Sequence, residues 1–186
     1  MNELNVHNVM PISYVNGPGK RFVIWTQGCP RSCAGCFNPD SQSFIKKEII
    51  SVDELYEKII SVDGIEGATI SGGEPFSQAC ALSLLMRKVH DRGLSVICYT
   101  GYELEEIKCA GSSEWNLLLN QIDLLIDGPF VNSEKCLESM RGSSNQRLHF
   151  LSDRIDSSVI LNASRSFEIT IDCEGSITQT GFPDVI

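Results

Sequence analysis

No stretch of this chain is apolar for the length a membrane span needs, about 20 residues, and Met1 to His7 shows no charged-then-apolar leader. A soluble, cytoplasmic protein with no membrane partner is expected. Basic side chains are in short supply. Lys and Arg number 15 against 24 Asp and Glu, a formal net charge of -9, which argues against a nucleic-acid surface, since that needs a basic stripe. Histidine is scarce, and His7, His90 and His149 lie too far apart for a His-x-x-x-His metal pair. A second C-x2-C knuckle is missing, which disfavours the usual closed zinc site. A disulfide framework is unneeded, because 186 residues with 42% apolar content can bury a core without staples. No repeat, low-complexity run or long linker divides the chain.

What is present is a concentration of thiols. Cys29, Cys33 and Cys36 stand in the run Thr26-Gln27-Gly28-Cys29-Pro30-Arg31-Ser32-Cys33-Ala34-Gly35-Cys36-Phe37-Asn38-Pro39, with spacing C-x3-C-x2-C. A [4Fe-4S] cluster normally takes four thiolates, so three on one loop leave one iron free to bind something other than protein. A fourth ligand from a distant position stays open. Cys80, Cys98, Cys109, Cys136 and Cys173 are scattered singly, so no auxiliary cluster is expected. Charge is unevenly spread: residues 1–50 carry five basic and three acidic side chains, the rest ten and twenty-one. Lys20, Arg21, Arg31, Lys46 and Lys47 therefore surround the cysteine loop in sequence, either as a solvated charged face or as a docking surface for an acidic electron carrier or substrate.

Short β-like runs alternate with amphipathic segments, the pattern of βα units around a parallel sheet. Strands are expected at Arg21 to Thr26, Gly67 to Ser71, Leu94 to Tyr99 and Leu124 to Asp127. Helices are expected from Ser51, capped to Glu54, from Ser77 to Arg92, and from a Thr100/Glu103 capping box through Ala110. Phe167 to Asp172 and Ser176 to Thr180 read as a β-hairpin around Glu174-Gly175. Chemistry in such folds collects at the carboxyl ends of the strands. The cysteine loop, Ser71-Gly72-Gly73-Glu74-Pro75, Thr100-Gly101-Tyr102 and Asp127-Gly128-Pro129-Phe130 all follow strands, and so should open on one face.

Together with Asn16-Gly17-Pro18-Gly19 and Arg141-Gly142-Ser143-Ser144-Asn145-Gln146, these motifs resemble the radical S-adenosylmethionine superfamily, and within it the activating proteins of anaerobic ribonucleotide reductases. The resemblance runs from about residue 10 to residue 150. It implies an α/β fold, a partial (βα)6-type TIM barrel with a mostly parallel sheet over residues 1–152, followed by a C-terminal β-hairpin extension over 153–186. It implies two cofactors, one [4Fe-4S] cluster held by Cys29, Cys33 and Cys36, and S-adenosyl-L-methionine bound at the open iron. Reductive cleavage of that cosubstrate would give a 5'-deoxyadenosyl radical.

The resemblance also distributes the site residues. Gly72 and Gly73 lack side chains and would let backbone carbonyls approach the methionine ammonium, with the Glu74 carboxylate nearby. Phe37 and Asn38, with Gly35 before them, flank the third cysteine where the family holds adenine. Thr100 and Asp127, at strand ends, would contact ribose or methionine oxygens. Arg141 would pair with a carboxylate through its planar fork, with Ser143 and Asn145 beside it. Several have a plainer structural alternative: capping for Thr100 and Asp127, a strand-to-helix turn for Gly72-Gly73-Glu74-Pro75, core packing for Phe37, loop organisation for Ser143 and Asn145. Glu74 stands where many activases have aspartate, and typical activases end soon after the Ser-Ser-Asn-Gln segment.

Implied partners are a glycyl-radical enzyme such as an anaerobic ribonucleotide reductase and a flavodoxin or ferredoxin type reductant. The leading function is therefore abstraction of a glycine hydrogen from such an enzyme. The alternative is a free-standing radical enzyme acting on a small molecule or peptide, with the hairpin closing the pocket. A metal protein that only binds a partner is the third class, and it has no need of an open ligand position.

Overall fold

The segment Arg21–Thr26 is buried along its whole length, and a strand buried on both faces must lie inside a sheet. In the computed structural model, which describes residues 2–171 and 173–182, it does. The main sheet contains β1 (Glu3–Ser13), β2 (Arg21–Thr26), β3 (Glu48–Ser51), β4 (Gly67–Gly72), β5 (Ser95–Tyr99), β6 (Leu124–Asp127) and β7 (Arg147–Phe150), in the order β3-β1-β2-β4-β5-β6-β7. Ladders β2 to β4, β4 to β5 and β5 to β6 are parallel. Antiparallel ladders finish the sheet, β1 with β2 and β3 at one end and β7 with β6 at the other. A separate antiparallel hairpin is made by β8 (Phe167–Ile171) and β9 (Ile177–Gly181). The helices are α1 (Val52–Ile60), α2 (Ala79–Asp91), α3 (Leu104–Cys109), α4 (Ser113–Leu119) and α5 (Ser157–Leu161).

The α/β class, the largely parallel sheet and the C-terminal hairpin thus match the expectation from sequence. Asp172, the expected end of the first hairpin strand, and residues 183–186 lie outside the described residues. Sequence patterning does not announce β1, because register shifts at Val6/Asn8 and Met10/Ser13 break its alternation. It also misses β3, β7, α4 and α5, which are too short for a period to show. The start of α3 differs from expectation as well. Its N-cap is Glu103, in a capping box with Glu106, because the Thr100 hydroxyl is given to Glu74 instead.

Alternate residues of the central strands feed two cores. Phe22 and Ile24 of β2, Ile70 of β4, Val96 and Cys98 of β5 and Leu125 of β6 pack with Leu55, Ile59, Leu82, Leu85 and Met86 of the helical layer. Ile97, Leu124 and Ile126 face the other way and pack with Met140, Ile155 and Ile160. The first part of the expected extension is therefore core material. The hairpin is latched to the body by polar contacts: Ser13 Oγ and Tyr14 N each donate to Glu168 at 2.8 Å, and Asn16 Nδ2 donates to Thr180 Oγ1 at 2.9 Å.

Arg21 opens β2 and is fully buried. It donates to Thr69 Oγ1 at 2.7 Å, to the Ala68 carbonyl at 2.6 Å, and to the Ser95 hydroxyl and carbonyl at 3.0 Å. Burial pulls its pKa down to about 10, partly countered by the charge of Asp123. The net worth of this arrangement lies in acceptors that would otherwise be orphaned. Arg21→Met should lower the free energy of unfolding by about 1–3 kcal/mol, read from urea midpoints at constant m. An unchanged midpoint would mean that relief of the buried charge cancels the lost bonds.

Candidate active site

The parallel strands run the same way, so the loops after β2, β4, β5 and β6 converge. They wall a cavity of about 550 Å³ that takes in Cys29, Cys33, Cys36, Phe37, Asn38, Gly72, Gly73, Glu74 and Thr100. The cysteine loop is held from both sides. Gly28 N and Cys29 N donate to the carbonyls of Ser41 and Gln42 at 2.7 and 2.9 Å, while Glu74 N donates to the Gly28 carbonyl and Gly73 N to that of Thr26, both at 2.8 Å. A Cβ on Gly73 would collide with the Gly28 carbonyl oxygen, and one on Gly72, whose φ is +95°, would lie 2.6 Å from Thr26 N. Both glycines are thus required by the seam between the cysteine loop and β4, before any ligand is considered.

Glu74 is fully buried. Its Oε1 accepts from Thr100 Oγ1 at 2.8 Å and Phe76 N at 3.0 Å, and its Oε2 accepts from Gly101 N at 2.8 Å. Burial pushes its pKa up, against the pull of those three donors and of nearby Arg31. The carboxylate therefore ties β4 to the loop after β5 while remaining in the cavity wall. Arg31, inside the cysteine loop, completes the tie: its guanidinium donates to the Gly101 carbonyl at 2.6 Å, pairs with Glu106 at 3.2 Å and lies 4.7 Å from the Tyr102 ring centroid.

Cys29, Cys33 and Cys36 are free thiols, each half-buried. Backbone N–H groups of Arg31 and Asn38 point at Cys29 Sγ and Cys36 Sγ, at 3.5 and 3.4 Å. Burial, followed in weight by opposing backbone donors, leaves the Cys29 thiol raised. Among the described residues no three His, Cys, Asp or Glu side chains converge on a single metal ion. Three soft thiols spread along one loop, with N–H donors to sulfur, are a donor set that fits an iron-sulfur cluster.

The remaining expected site residues are not among those that line the cavity. Gly35 (φ +73°) faces Asn132, whose Oδ1 a Cβ would meet at 2.9 Å. Asp127 is buried, accepts from Leu104 N at 2.7 Å and Arg147 Nη2 at 2.8 Å, and lies 2.9 Å from His149 Nε2. Burial works against its charge, yet these donors hold its carboxyl below the usual range. Arg141 donates to the Gln146 carbonyl at 2.8 Å and pairs with Glu138. Ser143 Oγ accepts from Val131 N at 3.1 Å, and Asn145 Nδ2 donates to the Pro129 carbonyl at 2.8 Å. Their loop instead sends Gly142 and Gln146 to the cavity. Gly142 gives room to the aromatics, since a Cβ there would sit 2.7 Å from Phe37 Cε2.

Sequence reasoning assigned no role to several lining residues: His7, Asn8 and Trp25 from the β1 and β2 pair, Tyr99 at the end of β5, Phe130 in the motif after β6, and Thr178 to Phe182 of the hairpin, which only the alternative reading brought to the pocket. Asn16 lines it too, and its place in the Asn16-Gly17-Pro18-Gly19 motif was the available signal. The basic cluster also resolves differently. Arg21 opens β2 and Lys20 precedes it, at the opposite end of the strand from the cysteine loop, and Lys20 Nζ donates to the Asp63 carbonyl. Proximity in sequence misled because a strand carries the chain about 3.3 Å per residue.

A family model described as a 4Fe-4S single cluster domain matches residues 15–149. The anaerobic ribonucleoside-triphosphate reductase-activating protein of Salmonella typhi is 32% identical over 160 residues, covering 80% of this chain and 99% of that protein. Proteins of the same name from Vibrio cholerae and Enterobacteria phage T4 are 33% and 30% identical, each over 78% of this chain and over 97% and 93% of their own lengths. The crystal structure of QueE from Escherichia coli aligns at a TM-score of 0.43 and 17% identity, over 67% of this chain and 70% of that one. With its cysteine triplet and adjoining glycine loop in one cavity, this chain belongs to the 4Fe-4S single cluster domain family, alongside the anaerobic ribonucleoside-triphosphate reductase-activating proteins, and is a radical S-adenosylmethionine enzyme.

Proposed function

We propose that this chain activates a glycyl-radical enzyme of the anaerobic ribonucleotide reductase kind by taking a hydrogen atom from one of its glycines. The observation that carries the reading is the near-complete coverage of relatives bearing that name. Cys29, Cys33 and Cys36 would hold the cluster, and the Gly72-Gly73-Glu74 loop would receive S-adenosylmethionine. When bound, cluster and cosubstrate supply one-electron chemistry that ends in hydrogen abstraction. The chain's own part is to place backbone carbonyls and the Glu74 carboxylate at the polar end, to pack Phe37 at the apolar end, and to exclude water. A glycine in an extended segment suits a cavity reached from the loop side, because it carries no side chain to obstruct the approach. A flavodoxin or ferredoxin type protein supplies the electron.

One observation favours a second reading, a free-standing enzyme for a small molecule or peptide: hairpin residues Thr178 to Phe182 form part of the cavity wall. Incubation of the reduced, reconstituted protein with S-adenosylmethionine and the cognate reductase should produce a glycyl radical seen by electron paramagnetic resonance. Release of 5'-deoxyadenosine without that signal would favour the second reading.

Two sets of variants test the assigned residues. Cys29→Ala, Cys33→Ala and Cys36→Ala should each reduce bound iron and acid-labile sulfide to near background after anaerobic reconstitution, whereas Cys80→Ala, in α2, should load normally. Gly73→Ala should displace the cysteine loop and cost about 1–3 kcal/mol of stability, with weaker S-adenosylmethionine binding measured by titration calorimetry. A G73A protein with both properties unchanged would show that the seam is slack.

A further inference from the structure

The family match ends at His149, yet the segment beyond it supplies part of the cavity. Phe182 follows β9 and lines the cavity together with Thr178, Thr180 and Gly181. Its ring meets Phe37 edge-on, with centroids 5.8 Å apart, and Tyr99 at 6.3 Å. Phe37 in turn packs on Phe130 at 4.8 Å. Four aromatic rings therefore gather at one side of the cavity, while Gly72, Gly73, Glu74 and Thr100 give another part of the wall a polar lining.

Phe182 is held in place from behind. Arg165 Nε donates to its carbonyl at 2.9 Å, and the guanidinium lies 5.3 Å from its ring centroid. Its N–H donates to the Ser166 carbonyl at 3.0 Å. The hairpin that carries it is fixed by buried Thr180, which bonds Asn16. A ring fixed in this way loses little freedom when a ligand arrives, which is what a positioning contact requires.

S-adenosylmethionine has a charged amino-acid end and a flat, weakly polar adenine end. A planar heterocycle gains from offset or edge contacts with aromatic rings, and a site of mixed lining orients an amphipathic ligand by matching its two ends. We propose that Phe182 is a positioning residue for the adenine ring of S-adenosylmethionine, so that the C-terminal hairpin is part of the active site and not an appendage to it. The assignment rests on the reading of the site as one for this cosubstrate. It places the hairpin at the aromatic side of the cavity, against Phe37.

The test is anaerobic titration of cluster-loaded, full-length protein with S-adenosylmethionine, and separately with 5'-deoxyadenosine and with methionine. Phe182→Leu should weaken S-adenosylmethionine about tenfold, weaken 5'-deoxyadenosine by a similar factor, and leave methionine unchanged. Phe182→Tyr, which keeps the ring, should bind all three as the wild type does. The assignment fails if F182L binds S-adenosylmethionine normally, if F182Y is as weak as F182L, or if methionine and 5'-deoxyadenosine weaken together, which would indicate general loosening. The reductase takes no part in these titrations. Absence of a glycyl radical in the activation assay would end the activase reading and leave this assignment intact, whereas normal binding by F182L would end this assignment alone.

Discussion

The contact on which the site depends is the approach of two backbones where β2 and β4 end. Gly73 N bonds the Thr26 carbonyl and Glu74 N bonds the Gly28 carbonyl, both at 2.8 Å, with no room for a Cβ on Gly73. Parallel pairing of β2 and β4 continues through Thr26 and Gly72, so the cysteine loop starts in register with the glycine loop. A thiol set on one loop and a polar backbone on the next are thereby fixed relative to each other by sheet hydrogen bonds. Such bonds are short-range and directional, so the two loops hold that geometry without relying on long side chains.

A second layer of ties spreads outward from this seam. The Glu74 carboxylate reaches the loop after β5 through Thr100 and Gly101, and Arg31 reaches the same loop from the cysteine side. Glu74 accordingly braces the wall and forms part of the cavity lining. Burial pushes its pKa up, and the three donors oppose that shift. Asp127 and the loop from Arg141 to Gln146 act one step further out. Their hydrogen bonds organise α3, β7 and the loop after β6, which sets where Phe130 and Gly142 stand.

The central βα alternation was legible because its periods are clean: buried runs at Arg21–Thr26 and Leu124–Asp127, and an amphipathic α1 starting at a Ser51 cap that accepts from Glu54 N. The edges were not. The bulged β1 and the four-residue β3 and β7 owe their existence to the neighbours they pair with, so local sequence carries little trace of them. The same holds for Thr100, whose spacing to Glu103 imitates a cap while its hydroxyl is claimed by Glu74, which is distant in sequence.

The sequence by itself determined the chemistry: three cysteines at C-x3-C-x2-C, with Gly72, Gly73 and Glu74 following a strand, specify ligand types and backbone freedom that need no tertiary information. Tertiary structure alone decided which residues share the cavity. It brought in Asn16, Tyr99, Phe130 and Phe182 and left Asp127, Arg141, Ser143 and Asn145 out of the lining. The physical reason is that ligand identity is a property of single side chains, whereas the direction a side chain faces is settled by register, packing and hydrogen bonds to residues far away in the chain.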